Sequence, residues 1–209
     1  MTVVLRRGGM YRNFGKRLLE ASLVVATAPI TLPLVALLAL IIALDGANPF
    51  FRQRRLGRNG VVFSMWKLRT MVWDAEERLQ EHLNADPKAR AEWDATQKLK
   101  NDPRVTQIGR LLRKTSIDEL PQLWNVVAGE MSLVGPRPMM VAQRPLYPGT
   151  AYFAMRPGIT GLWQVSDRNE CGFADRAKFD SDYDQLVSLA TDVSIIARTL
   201  RVIVRATGY

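Results

Sequence analysis

The sequence contains one cysteine, Cys171, and one histidine, His82, in 209 residues. A single cysteine cannot form a disulfide within the chain, and the scarcity of both residue types argues against a histidine-rich zinc site. Because imidazole is nearly absent, a general base in this protein is expected to be a carboxylate.

Acidic residues are also in deficit, because 20 aspartates and glutamates face 29 lysines and arginines and leave a net charge of +9. This excess of positive charge favours an anionic partner, such as nucleic acid, anionic lipid or a phosphorylated substrate. The chain has neither an aromatic RNA-binding string nor zinc-finger spacing, so no nucleic-acid partner is predicted. A length of 209 residues suits one domain with one appended segment.

Charge is almost missing between Leu18 and Leu44, where roughly 27 apolar residues would form about 40 Å of helix, enough to cross a bilayer. The run is too long for an ordinary signal-peptide core, so the segment is expected to remain in the mature protein. Glu20 lies one turn inside it and is expected near the headgroups, beside Lys16 or Arg17.

Two prolines, Pro29 and Pro33, lie near the middle of this segment and predict a break or sharp kink. Basic residues flank both ends, which one crossing cannot reconcile with a positive cytoplasmic side. A re-entrant helix-hairpin would keep both clusters at anionic cytoplasmic headgroups, where each cation gains about 1 kcal/mol. We prefer this hairpin to an ordinary transmembrane helix with a proline kink. The flanking cations are Arg6, Arg7, Arg12, Lys16, Arg17, Arg52, Arg54, Arg55 and Arg58.

Residues 1–45 are thus predicted to form a basic segment with a membrane helix, and residues 46–209 a small cytosolic domain. Short strands at residues 50–53 and 61–68 surround Gly57–Gly60 and predict a β-hairpin. The other segments have helical composition, so the predicted fold class is α+β and mostly helical. Helices are expected within residues 74–100, split at Asp86-Pro87, and within residues 105–114, 120–128 and 192–206.

Two adjacent carboxylates, Asp118 and Glu119, stand out among the cations. Ser116 and Glu119 have the spacing of a capping box, which would make the acids a local helix cap. Pro121 argues against a helix that begins at Ser116, because it is tolerated only in the first turn. From these residues alone, helix capping and catalysis stay open as alternatives, and phosphate chemistry with a divalent metal is one form of the second.

A long ordered series of motifs then resembles the bacterial sugar transferases, and more closely the monotopic phosphoglycosyl transferases. The likeness covers nearly the whole chain, including Lys16-Arg17 and the proline-containing helix. The motifs are Asp102-Pro103-Arg104-Val105-Thr106, Arg113, Asp118-Glu119-Leu120-Pro121-Gln122-Leu123, Gly129-Glu130-Met131-Ser132, Gly135-Pro136-Arg137-Pro138 and Arg156-Pro157-Gly158-Ile159-Thr160-Gly161.

The resemblance implies an enzyme that passes a sugar 1-phosphate from a UDP-sugar to undecaprenyl phosphate at the cytoplasmic face of the bacterial inner membrane. It makes Asp118 the nucleophile that forms a covalent phosphosugar intermediate and releases UMP. It makes Glu119 the ligand of Mg²⁺, and Arg113, Arg137 and Arg156 the residues that bind substrate phosphate. A structural salt bridge is the alternative for Arg156.

Residues 92–100 resemble the rhizobial exopolysaccharide branch, which starts chains with galactose, so UDP-galactose is the expected donor and exopolysaccharide initiation the expected role. UDP-glucose and a UDP-N-acetylated amino sugar are the alternatives. A membrane-anchored basic scaffold is the alternative outside the enzymes, and the oligomeric state stays open, a homodimer included.

Three positions depart from the family pattern. Leu32 precedes Pro33 where serine is common, Glu130 replaces an aspartate, and Asp167 occupies a usual glycine position. Leu32 lacks the serine hydroxyl that could bond the carbonyl freed by Pro33, so a contribution to the bend from Thr31 or Pro29 is the alternative.

Overall fold

The apolar segment forms a single long helix, α1 (Lys16–Ile42), in the computed structural model. The structure describes residues 9–96, 99–166 and 172–204. A short π-helical turn at Tyr11–Gly15 leads directly into α1.

Pro29 and Pro33 lie inside α1, and the chain stays helical through both. The helix is therefore not broken at either proline, whereas a kink there and the re-entrant course remain predictions. Each proline removes one donor, but the other hydrogen bonds of the helix persist. Threonine hydroxyls add bonds one turn back, from Thr27 to the Leu23 carbonyl at 3.1 Å and from Thr31 to the Thr27 carbonyl at 3.2 Å. Such bonds help apolar helices to accommodate proline.

Helix α1 packs against the rest of the protein through its two ends. Glu20 and Val24 are buried near its start and Ala39 and Ile42 near its end, and no residue between Val24 and Ala39 is buried. Among the described helices, the stretch Tyr11–Asp45 alone is long and apolar enough to cross a membrane. Its most apolar part has a mean hydropathy of 2.4 and is 11% buried. Length and composition thus support membrane association.

Two antiparallel strands, β1 (Phe50–Leu56) and β2 (Val62–Leu68), form the predicted hairpin. The turn between them contains Asn59 at φ 58° and Gly60 at φ 77°. These left-handed conformations are the ones that asparagine and glycine adopt most readily, so the local sequence explains the turn. Met65 on β2 joins the main apolar core, which places the hairpin against the helices.

Two charged helices follow, α2 (Ala75–Ala85) and α3 (Pro87–Thr96), and Pro87 begins the second as predicted. They share a small apolar cluster of their own, separate from the main core. Its members are Leu79, Leu83, Ala89, Trp93 and Leu99.

The next two helices, α4 (Gln107–Thr115) and α5 (Gln122–Ala128), have clear local start and stop signals. The Thr106 hydroxyl caps α4 by accepting a hydrogen bond from the Gly109 amide at 2.9 Å. Gly129 ends α5 at φ 87°, as expected for a glycine after a helix.

Two short parallel strands, β3 (Ser132–Val134) and β4 (Gly158–Thr160), bring two distant motifs together. A Cβ atom on Gly158 would lie 2.1 Å from the backbone nitrogen of Gly135. Only glycine allows so close an approach of two backbones. The turn that contains Arg137 therefore lies beside the segment that follows Arg156.

Three further helices complete the described chain: α6 (Ala151–Ala154), α7 (Arg176–Leu186) and α8 (Leu189–Val204). Ile195 of α8 packs with Val134 in a third cluster. The described residues thus form four short strands and mostly helices, which confirms the α+β, mostly helical class.

Candidate active site

The two adjacent acids lie in one 3-10 turn, Ile117–Glu119, between α4 and α5. Ser116, just before the turn, has a left-handed φ of 57° and its side chain caps no helix. The capping-box alternative is therefore wrong. Pro121 directly precedes α5, where the missing amide donor leaves no hydrogen bond unmade. The acids are thus presented at the start of α5 without serving as its cap.

Lys67 on β2 holds both carboxylates. Its Nζ lies 2.6 Å from Glu119 Oε1 and 3.7 Å from Asp118 Oδ2. Asp118 is only 7% exposed. This cation joins the hairpin to the turn and provides positive charge at the point where a substrate phosphate would approach.

Burial raises the pKa of Asp118, and the positive charge of Lys67 is the largest effect that opposes it. Glu119 raises the pKa of Asp118 further, whereas Arg113 lowers it. Desolvation disfavours the charged form of any carboxylate, so an ionised Asp118 depends on these two cations. A buried carboxylate with few water partners is also a better nucleophile than a solvated one.

Arg113, predicted to bind phosphate, lies on α4 facing the same turn. Its Nε donates to the Thr70 hydroxyl at 2.9 Å. Burial lowers the pKa of Arg113, and the charges of Asp102 and Asp118 oppose that shift. A Cβ atom on Gly109 would lie 2.0 Å from the Thr70 carbonyl oxygen, so α4 packs directly against the segment that contains Thr70, the hydrogen-bond partner of Arg113.

Arg137, the second predicted phosphate ligand, is exposed in the turn after β3. Its guanidinium lies 5.8 Å from the centre of the Trp163 ring, and that of Arg176 lies 4.2 Å from the same ring. Burial and Arg137 lower the pKa of Arg55, whereas Glu119 opposes the shift. Arg55 therefore connects the acid pair with the region of Arg137.

Arg156, the third predicted phosphate ligand, lies at the opposite end of α5. Its Nε donates to the Gly129 carbonyl at 2.7 Å, and Arg17 of α1 donates to two carbonyls in the last turn of the same helix. Seven helical residues separate this end from Asp118 by about 10 Å. The structure does not bring Arg156 to the acid pair, and phosphate binding by it stays a prediction.

Three basic residues were not predicted: Lys67 at the acids, Arg55 within electrostatic range of Glu119, and Arg176 beside Arg137 at Trp163. Lys67 had a visible signal, because it is the one charged residue in the otherwise apolar strand Val62–Leu68. Arg55 lies among other arginines on β1 and Arg176 at the start of α7, where only tertiary structure distinguishes them from surface charges. Asp167, the unusual residue at a family glycine position, lies outside the described residues.

The donor atoms of the acid pair suit a magnesium ion. No group of three or more histidines, cysteines, aspartates or glutamates comes together among the described residues to hold a metal. Mg²⁺ requires less, since one or two carboxylates often suffice when water and substrate phosphate complete its shell. Glu119 has a second oxygen besides the one that Lys67 holds.

Comparisons with known proteins identify the family of the chain. The family described as "Bacterial sugar transferase" matches residues 11–206. The "UDP-galactose-lipid carrier transferase" of Erwinia amylovora is 48% identical over 212 residues, which cover 99% of this chain and 44% of the relative.

Two more relatives have similar identity. "Exopolysaccharide production protein ExoY" of Rhizobium meliloti is 42% identical over 96% of this chain and 88% of its own length. "Undecaprenyl-phosphate galactose phosphotransferase" of Salmonella typhimurium is 43% identical over 94% of this chain and 42% of its own length. The chain therefore spans less than half of the Erwinia and Salmonella proteins and most of the rhizobial one. Its motifs, its matched length and these identities place the chain in the bacterial sugar transferase family.

Proposed function

We propose that the chain transfers a sugar 1-phosphate, with galactose as the sugar, from a UDP-sugar to undecaprenyl phosphate. The observation that carries this proposal is the burial of Asp118 against Lys67, with Arg113 within electrostatic range. Two relatives carry names that refer to galactose and a lipid or undecaprenyl-phosphate carrier. The name of the rhizobial relative supports exopolysaccharide synthesis as the process.

The first step is an attack of an Asp118 carboxylate oxygen on the sugar-side phosphorus of the donor. A new oxygen–phosphorus bond forms, the bond from that phosphorus to the bridging oxygen breaks, and UMP departs with the electron pair. The product is a phosphosugar held on Asp118 as an acyl phosphate. This is covalent catalysis by a carboxylate, which divides one difficult transfer into two easier ones.

The second step regenerates the enzyme. A phosphate oxygen of undecaprenyl phosphate attacks the same phosphorus, and the bond between phosphorus and the Asp118 oxygen breaks. The lipid diphosphate sugar leaves, and the free carboxylate returns to its place beside Lys67. The first step forms the bond between the Asp118 oxygen and phosphorus, and the second step breaks it. One site therefore serves both substrates in turn.

Lys67 and Arg113 have the charge and position to stabilise the phosphoryl group during both steps. Glu119 would hold Mg²⁺, which would neutralise charge on the donor diphosphate. Lys67 also keeps the Glu119 carboxylate close to Asp118, because Lys67 Nζ lies 2.6 Å from Glu119 Oε1.

We further propose that α1 is re-entrant and that the catalytic residues lie at the cytoplasmic face of the inner membrane. Val24 belongs to the cluster that contains Met65, and Ile42 to the cluster that contains Leu68. Both ends of α1 thus pack into clusters that include residues of β2, while its middle is exposed, and this arrangement supports a course that enters and leaves on one side.

Asp118→Asn tests the nucleophile. The variant should keep its membrane association, because α1 is unchanged, but should form no phosphosugar adduct and release no UMP above background. The measurement is UMP release from UDP-sugar by membrane extract, together with the amount of protein in the membrane fraction. Asp94→Asn, at an exposed acid on α3, is the matched control and should keep wild-type release. Unchanged UMP release by Asp118→Asn would rule out Asp118 as nucleophile.

A panel of radiolabelled UDP-sugars tests the choice of sugar. With membrane extract that contains the protein, UDP-galactose should give labelled lipid, while UDP-glucose and UDP-N-acetylated amino sugars should give little. The readout is label in the organic phase. Labelled lipid from another sugar, with none from galactose, would show that the proposed donor is wrong while leaving the reaction class intact.

Single cysteines test the course of α1. In a Cys171→Ser background, Gly9→Cys and Ala47→Cys place one thiol before the helix and one after it. A membrane-impermeant thiol reagent should label both in inverted vesicles and neither in right-side-out vesicles, because a re-entrant helix begins and ends on one face. Labelling of the two positions from opposite faces would establish a single crossing instead.

A further inference from the structure

Three arginines from distant parts of the chain converge near Trp163, and one of them, Arg55, is within electrostatic range of Glu119. Arg55 comes from β1, Arg137 from the turn after β3 and Arg176 from the start of α7. The guanidiniums of Arg137 and Arg176 lie 5.8 and 4.2 Å from the centre of the Trp163 ring. Nη1 of Arg55 donates to the carbonyl of Pro138, next to Arg137, at 3.3 Å. We call these three residues the arginine cluster.

The negative charge around the arginine cluster does not balance its positive charge. Glu119 faces Arg55, but its carboxylate is already paired with Lys67. Asp180 faces Arg176 and offsets one positive charge; burial raises the pKa of Asp180 to about 6, while a hydrogen bond from Tyr147 and the charge of Arg176 lower it. Like charges brought together in a partly buried site are unfavourable unless an anion offsets them.

Polar atoms in the arginine cluster also lack partners. Among the described residues, Nε of Arg55 and Nε of Arg176 are buried without a hydrogen bond, as are Nε1 of Trp163 and Oε1 of Gln164. Trp163 and Gln164 are 9% and 8% exposed. Buried polar groups in folded proteins are nearly always paired, so the three unpaired donors on Arg55, Arg176 and Trp163 can accept an anion as their partner.

Burial lowers the pKa of Arg176 to about 10, and the charges of Arg137 and Arg55 lower it further while Asp180 opposes them. The three guanidiniums therefore lie within electrostatic range of one another, and two of them lie against the Trp163 ring. Arg137 is exposed and gives solvent access to the cluster. A guanidinium fork matches the oxygens of a phosphate group.

We propose that Arg55, Arg137 and Arg176, beside Trp163 and Gln164, bind the phosphate of the nucleoside monophosphate that leaves in the first step. This inference rests on the proposed function. The donor has two linked phosphates, and Lys67 and Arg113 flank the one that Asp118 attacks. Arg55 lies within electrostatic range of both Glu119 and Arg137, so a second phosphate linked to the first would meet the arginine cluster. Positive charge there stabilises the charge that develops on the departing phosphate as the bridging bond breaks.

The test is the affinity of the purified full chain for UMP, measured by titration calorimetry in detergent with Mg²⁺ present. Arg176→Gln and Arg55→Gln should each weaken UMP binding at least tenfold, because each removes a guanidinium that binds the UMP phosphate. Arg54→Gln changes an exposed arginine next to Arg55 on the same strand and should bind UMP within twofold of wild type. Arg176→Lys should fall between wild type and Arg176→Gln, because it keeps the charge and loses the fork.

Steady-state kinetics separate the nucleotide from the lipid acceptor, which also ends in a phosphate. Arg176→Gln and Arg176→Lys should raise KM for the UDP-sugar at least threefold and leave KM for undecaprenyl phosphate unchanged. A rise in the acceptor KM with unchanged UMP affinity would overturn the proposal, as would wild-type UMP affinity in both Arg55→Gln and Arg176→Gln.

Thermal unfolding without nucleotide identifies any variant that fails to fold. If the glutamine variants fail to fold, the UMP affinity and the KM values of Arg176→Lys decide the proposal. The Asp118→Asn protein separates this inference from the proposed function. It should bind UMP like the wild type, because the arginine cluster is intact. If the wild type transferred no sugar phosphate to the lipid, the proposed function would be contradicted. The UMP affinities of the arginine variants would still decide whether the arginine cluster binds the nucleotide.

Discussion

The ion pair between Lys67 and the acid pair is the interaction on which the rest of the site depends. It crosses from β2 to the turn between α4 and α5, with Nζ 2.6 Å from Glu119 and 3.7 Å from Asp118. A carboxylate as buried as Asp118 would otherwise favour its neutral form, which is a poor nucleophile. The hairpin is therefore part of the chemistry as well as of the core, because it delivers the cation that keeps the acid charged.

The membrane segment is coupled to the same turn through α5. Arg17 of α1 donates to carbonyls at the end of α5, and Glu20 accepts a hydrogen bond from the Ser132 hydroxyl at 2.6 Å, just beyond that helix. Lys16 pairs with Glu20 at 2.8 Å, as the sequence predicted. A buried ionic network of this kind fixes the position of α1 relative to the end of α5 more than it stabilises the fold. The first turns of α1 thus hold one end of α5, while the acids lie just before its other end.

Local features of the fold could be predicted from the sequence because short-range physics determines them. The Asn59-Gly60 turn, the helix start at Pro87 and the helix end at Gly129 each follow from the backbone preferences of one or two residues. The chain stays helical through Pro29 and Pro33, because the hydrogen bonds of a long helix, with help from the Thr27 and Thr31 hydroxyls, outweigh two missing donors.

Long-range relations at the site could not be predicted in the same way. Lys67 pairs with the acids from β2, Arg55 of β1 lies within electrostatic range of Glu119, and Arg176 of α7 lies within range of Arg55. Nothing in their neighbours along the chain shows these relations. Arg156 was grouped with the acids by its motif, yet α5 lies between them. The motifs identified Asp118 and Glu119, whereas the cations around them had to be found in three dimensions.

The location of the covalent bond tests the central claim most directly. The wild-type protein would be incubated with its UDP-sugar and no lipid acceptor, digested, and its peptides analysed by mass spectrometry. The account predicts one added sugar phosphate on Asp118, which disappears when undecaprenyl phosphate is supplied. UMP release with the sugar phosphate on Glu119, or on no residue at all, would contradict it.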